Sequence, residues 1–173
     1  MKPKEIAYVR AMDGVSRFIA GYVKYLGFVI IALLVFEVII RRIFNAPTHW
    51  NFFVTKWVFG VYFLLLASYG MLRQTNIRID IFYANWSQRT KDIIDLIGLA
   101  LVWVPVDILV LFYGSRYAWN SYLVREITPS SGFEIPIYPL KVLMIVAYVL
   151  LLFQAISEII KLWQRLNTKG EKV

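Results

Sequence analysis

The stretch FIAGYVKYLGFVIIALLVFEVII, Phe18 to Ile40, sets the class of the whole chain. Its 23 residues carry only two charges, Lys24 and Glu37. As an α-helix rising 1.5 Å per residue it reaches about 35 Å, enough to cross a hydrocarbon core about 30 Å thick. No water is available at that depth, so the backbone must satisfy its own hydrogen bonds, which a helix does. Three further apolar stretches follow, at about 57–72, 93–117 and 137–163. The links between the four leave no room for a second globular unit. Residues 1–173 are therefore expected to form a single all-α membrane domain of four transmembrane helices.

Composition agrees. Hydrophobic residues make up 60% of the chain and charged residues 17%, with a mean hydropathy of +0.62; soluble domains carry roughly a quarter charged residues. The net charge of +8 would suit nucleic acid, but the basic residues flank apolar spans and build no basic face on a soluble element. The lipid bilayer, not nucleic acid, is the expected partner of that charge. There is no cysteine, which excludes disulfides, thiolate metal sites, iron–sulfur clusters and a cysteine nucleophile. Lys2, Lys4, Arg10 and Arg17 precede the first span like the charged region of a signal peptide. The apolar run that follows is too long for a signal peptide and no small-x-small pattern closes it, so it reads as an uncleaved signal anchor.

With four spans both termini share a side. On that side lie Lys2, Lys4, Arg10, Arg17, Arg73, Arg78, Arg89, Lys91, Lys161, Arg165, Lys169 and Lys172; opposite lie Arg41, Arg42, Lys56, Arg116, Arg125 and Lys141. Twelve against six places both termini in the cytoplasm by the positive-inside rule.

Two short segments beside the spans carry their own signals. Ile6, Val9, Met12 and Val15 recur at three-residue spacing among charges, which fits an amphipathic helix on the inner surface or a frayed lead-in to the first span. HWNFFVTKW, residues 49–57, fits an in-plane aromatic segment at the outer interface before the second span. Between them, Asn45, Ala46 and Pro47 break the first helix. Glu37 and Arg41 stand four apart on one face and can pair, as an interfacial anchor or as part of a site. In GVYFLLLASYG, Gly60, Ala67 and Gly70 would seat a neighbouring helix closely or serve internal packing.

Asp107, in LVWVPVDILVLFYG, is the one acidic residue deep in any span, just after Pro105. An intramembrane carboxylate is a functional candidate, able to bind a cation or relay a proton. No second carboxylate, histidine or lysine stands at matching depth to complete such a site. A polar group on a partner subunit, or backbone donors released near the proline, are the alternatives. The link AWNSYLVREITPSSGFEIPIYPLK, with Pro129, Gly132, Pro136 and Pro139, is the longest outer loop and a plausible docking surface.

The single histidine, His49, lies in a loop, and no span holds a histidine for haem. There is no Walker loop, GxGxxG or Ser–His–Asp set. No cofactor, metal or catalytic residue is expected. A membrane anchor for a respiratory enzyme is the alternative class, for which span histidines are the missing feature. A small channel would require Asp107 to line a pore.

The inner loop GMLRQTNIRIDIFYANWSQRTKDIIDLIG is the discriminating segment. Here the chain resembles the small membrane subunit of tripartite ATP-independent periplasmic (TRAP) transporters, in which a short second span leads into R-x-x-x-H-I-R-V-D. Arg73, Asn76, Ile77, Arg78, Ile79 and Asp80 follow that pattern, with asparagine where histidine is common. RRIFNAPTHW is similar to the family's R-x-x-F-N-x-P-x-x-W through Arg41 or Arg42, Phe44, Asn45, Pro47 and Trp50. An acidic residue commonly follows that tryptophan, and Asn51 to Lys56 offers none. GFEIPIYPLK resembles the family's approach to its last span, and the resemblance runs from about Glu37 to Glu158. RIDIFY, IDLIG and LLLFQAISEIIK look closest to the branch labelled for mannitol or chloroaromatic compounds.

The resemblance implies a non-catalytic subunit of a multi-pass complex in the bacterial inner membrane. It would brace a large, elevator-type membrane subunit that moves organic acids or related solutes with sodium, and it would help dock a periplasmic substrate-binding protein. Candidate partner-interface residues are Arg41, Arg42, Trp50, Arg73, Arg78, Asp80, Asp107, Arg125 and Glu126.

Overall fold

The chain folds as four long helical spans arranged around the last of them. The computed structural model describes residues 3–45, 48–73, 86–127 and 135–170. Helix α1 covers Pro3–Ile43 and α2 covers His49–Leu72. The third span comprises α3, Gln88–Gly98, a π-helical turn at Leu99–Trp103, and α4, Val104–Leu123. Helix α5, Tyr138–Gly170, closes the chain. Each of the four spans is long and apolar enough to cross a membrane. Arg78 and Asp80 lie outside the described residues.

The helices run past the apolar stretches. At 41 residues α1 is about 60 Å long, twice a hydrocarbon core. The segment before Phe18 is thus neither a separate surface helix nor a frayed lead-in. No proline interrupts α1 after Pro3, and its polar residues Asp13 and Ser16 are buried against α5. The segment at 49–57 is likewise no separate in-plane element, because it forms the first turns of α2. Thr48 supplies the extended N-cap (φ −94°, ψ 115°), and Asn45 makes the preceding turn at φ 50°, a left-handed conformation that asparagine tolerates.

Helix α5 touches every other described helix. A third of its apolar window is buried, against 11% or less for the other spans, so it is the central post. Elsewhere large apolar side chains face outward, among them Phe18, Phe28 and Leu101. In lipid that exposure is not a defect, since hydrocarbon is as apolar as leucine. Helix association must come from close packing and polar contacts. Gly60 of α2 seats Leu140 of α5 so closely that an added Cβ would stand 3.2 Å from its Cδ1. Gly114 of α4 seats Ile145 in the same way, at 3.1 Å. Met71, Leu151 and Ala155 form the buried apolar centre.

Candidate functional site

Three polar clusters hold the spans together, and each consumes its own charges. At the end where α1 gives way to α2, Glu37 accepts hydrogen bonds from Arg41 (3.2 Å), from the Thr48 hydroxyl and from Asn51 Nδ2 (3.2 Å). Asn51, 1% exposed, also donates to the Leu33 carbonyl at 2.9 Å. The Glu37 carboxylate therefore meets the first residues of α2, where a helix favours negative charge. The Glu37–Arg41 pair expected from spacing is present, but as one arm of an interhelical cluster.

At the opposite end α1 meets α5. Lys161 Nζ donates to Asp13 (2.8 Å) and Glu158 (2.6 Å). Gln154 Nε2 donates to the same two carboxylates, at 3.1 and 3.2 Å, and Ser16 donates to Gln154 Oε1 at 2.8 Å. Asp13, Ser16, Gln154 and Glu158 are buried, Lys161 is half-buried, and the groups satisfy one another, which is the condition for a polar network to rigidify a fold. None of them stood among the sequence candidates. A signal existed: Gln154, Ser157, Glu158 and Lys161 fall at i, i+3, i+4 and i+7, one polar stripe on one helix face.

The third cluster sits where α4 turns toward α5. Lys141 Nζ lies 2.5 Å from Glu126 and 3.8 Å from the centre of the Tyr117 ring. The hydrogen bond from Lys141 holds the Glu126 carboxyl below the usual carboxylate range. Glu126 N bonds to Ser121 O and Arg125 N to Tyr122 O, at 3.0 and 3.2 Å. This is the double bond pattern of a Schellman cap, with Arg125 at φ 47° where glycine is usual. Ile137 N bonds to Glu126 O, and Trp57 Nε1 reaches Pro136 O.

Among the sequence candidates, the structure gathers Arg41, Arg42, Trp50, Arg125 and Glu126 at one end of the bundle. Arg41, Arg42 and Lys56 edge a groove of about 680 Å³ between α1 and α2, whose apolar floor includes Leu34, Val38 and Phe59. Trp50 packs its ring 6.1 Å from that of Phe36. Arg125 is exposed, whereas Glu126 is tied down by Lys141. Arg73 lies at the other end, donating to the Tyr69 hydroxyl at 2.8 Å.

Asp107 stands apart from all of these. Pro105 has no N–H to give and its ring crowds the preceding turn. The helix widens just before it, with Val104 N bonding back to Leu99 O, five residues away. Past that turn Asp107 faces α2 and α5. It is 3% exposed and borders a cavity of about 400 Å³ lined by Ala67, Gly70, Trp103, Val106, Tyr148 and Leu151. Neither carboxyl oxygen has a hydrogen-bond partner, the one carboxyl among the described residues of which this is true.

Comparison with known proteins gives one match. Residues 30–165 match the family model described as "Tripartite ATP-independent periplasmic transporters, DctQ component". No curated protein and no solved structure matches the chain.

Proposed function

The chain belongs to the DctQ component family of tripartite ATP-independent periplasmic transporters, and on that footing we propose that it is a single-domain, non-catalytic brace for a sodium-coupled secondary transporter. A large elevator-type membrane subunit carries the solute, an organic acid or a related compound of the mannitol or chloroaromatic type. A periplasmic binding protein delivers it. The small subunit spans the inner membrane four times with both termini in the cytoplasm. Its end bearing Arg41, Arg42, Trp50, Arg125 and Glu126 faces the binding protein, and Arg73, Arg78 and Asp80 belong to the cytoplasmic end.

The observation that carries this reading is the family match over residues 30–165. The use of charge inside the spans supports it. Asp13, Glu37 and Lys161 are each spent on holding one helix to another, and Glu158 steadies Lys161 from the same helix. A translocation path needs polar groups free to exchange partners with a moving solute, whereas a brace needs them locked. Purification in mild detergent through a tag on this chain tests the reading. A much larger membrane subunit is expected to co-purify near one to one; recovery of this chain alone, or with a redox enzyme, contradicts it.

A further inference from the structure

We propose that Asp107 and the cavity beside it form the socket for one lysine or arginine side chain carried by a span of the large membrane subunit. The inference rests on the reading of this chain as a transporter subunit and gives that reading a specific contact.

The carboxylates of α1 that meet other groups, and Glu158 on α5, have each found a cation, while the buried Asp92 of α3 has a neutral donor, Gln88, on one oxygen. Asp13 and Glu158 take Lys161, and Glu37 takes Arg41. Asp107 has neither cation nor neutral donor on either oxygen, and it lies within a membrane span. A carboxylate left unpaired in such a place is destabilising, and lipid offers nothing to offset that cost. A cation supplied by another molecule removes that cost.

The surroundings favour a long basic side chain. The cavity walls contributed by Ala67, Val106 and Leu151 are apolar, suiting the methylene stem of lysine or arginine, whose charged head then reaches the carboxyl. Access is open on the α2 side. A methyl group added at Gly70 would meet nothing within 4 Å, and Ala67 lies one turn away, so a foreign helix can approach the α2 backbone closely there. On the α4 side Trp103 and Val106 are 42% and 53% exposed, and both border the cavity. Asp107 itself lines this space.

The test uses the whole complex, with the large subunit and binding protein co-expressed. A photo-crosslinking residue replaces Val106, and the captured peptide is identified by mass spectrometry. The expected product is a span of the large subunit carrying a lysine or arginine within one turn of the captured position. Capture of lipid, of a second copy of this chain, or of a span without a basic residue overturns the inference. Asp107→Leu gives a second reading with opposite signs. It is expected to raise the thermal stability of the isolated subunit, because an orphaned carboxyl is removed, yet to lower recovery of the large subunit by at least about tenfold. Unchanged recovery with Asp107→Leu also overturns it. If the wild-type chain co-purifies with no large subunit, the functional reading itself fails; if the large subunit is present but Val106 never reaches a basic span, only the socket fails.

Discussion

Arg125 shows how a single residue can be read for fold and for function at once. Its φ of 47° is a conformation in which a side chain costs about 1 kcal/mol or more relative to glycine. The Schellman pattern around it would be satisfied at least as well by glycine. An exposed arginine that stays in a glycine position is a candidate for work outside the fold. Arg125→Gly keeps the turn and removes the charge, while Arg125→Glu reverses it. If this end docks the binding protein, both substitutions lower uptake several-fold with the subunit's melting temperature unchanged or higher for Arg125→Gly; full uptake with Arg125→Gly assigns the residue no docking role. Glu126 is a poorer probe, because reversing it breaks the contact with Lys141 that anchors the loop. The sequence placed both residues in the outer loop but did not distinguish them, since nothing in VREI reveals that one faces out while its neighbour is tied to Lys141, fifteen residues on.

At the scale of elements, the four apolar runs were legible from length and hydropathy alone, and the helix break at Asn45 from residue type. What escaped was continuity. The segments near the N-terminus and at 49–57 carry amphipathic signals that suit a membrane surface, but the same polar residues suit a neighbouring helix, and here Asp13, Ser16 and Asn51 found one. Periodicity reports that a face is polar, not what covers it. Asn51 follows Trp50 at the place where the resembled family commonly has an acid. The structure accounts for the amide: its Nδ2 donates to Glu37, and an aspartate would set two carboxylates against each other with no donor between them. Asn51→Asp is expected to lower the melting temperature of the purified subunit by roughly 5 °C or more. Adding Glu37→Gln should restore most of the loss by returning a donor to the pair. A double variant no more stable than Asn51→Asp alone would show that the α1–α2 contact does not depend on this bond. The π-helical turn before Pro105 was similarly out of reach: proline announced a disturbance, and packing chose its form.

Across the whole molecule, the sequence carried the class and the family, because helices must be long and apolar to span lipid, and because ordered motifs survive when no chemistry marks them. It did not carry the arrangement of the spans. The central position of α5 follows from contacts between residues more than a hundred apart, such as Ser16 with Gln154. Orientation rests on charge alone. Since the chain has no cysteine, single substitutions give a clean check: Asn45→Cys is expected to react with a membrane-impermeant maleimide from the periplasmic side, and Asn167→Cys only after the membrane is opened. The reverse pattern would invert the topology and put Arg41, Arg42, Trp50 and Arg125 out of the binding protein's reach. The central claim, that these spans support transport without performing it, is tested most directly by sodium-gradient-driven uptake into proteoliposomes. Uptake is expected when this chain, the large subunit and the binding protein are all present, and none from this chain alone. Solute uptake by the isolated chain, or full uptake by the other two without it, would contradict the account.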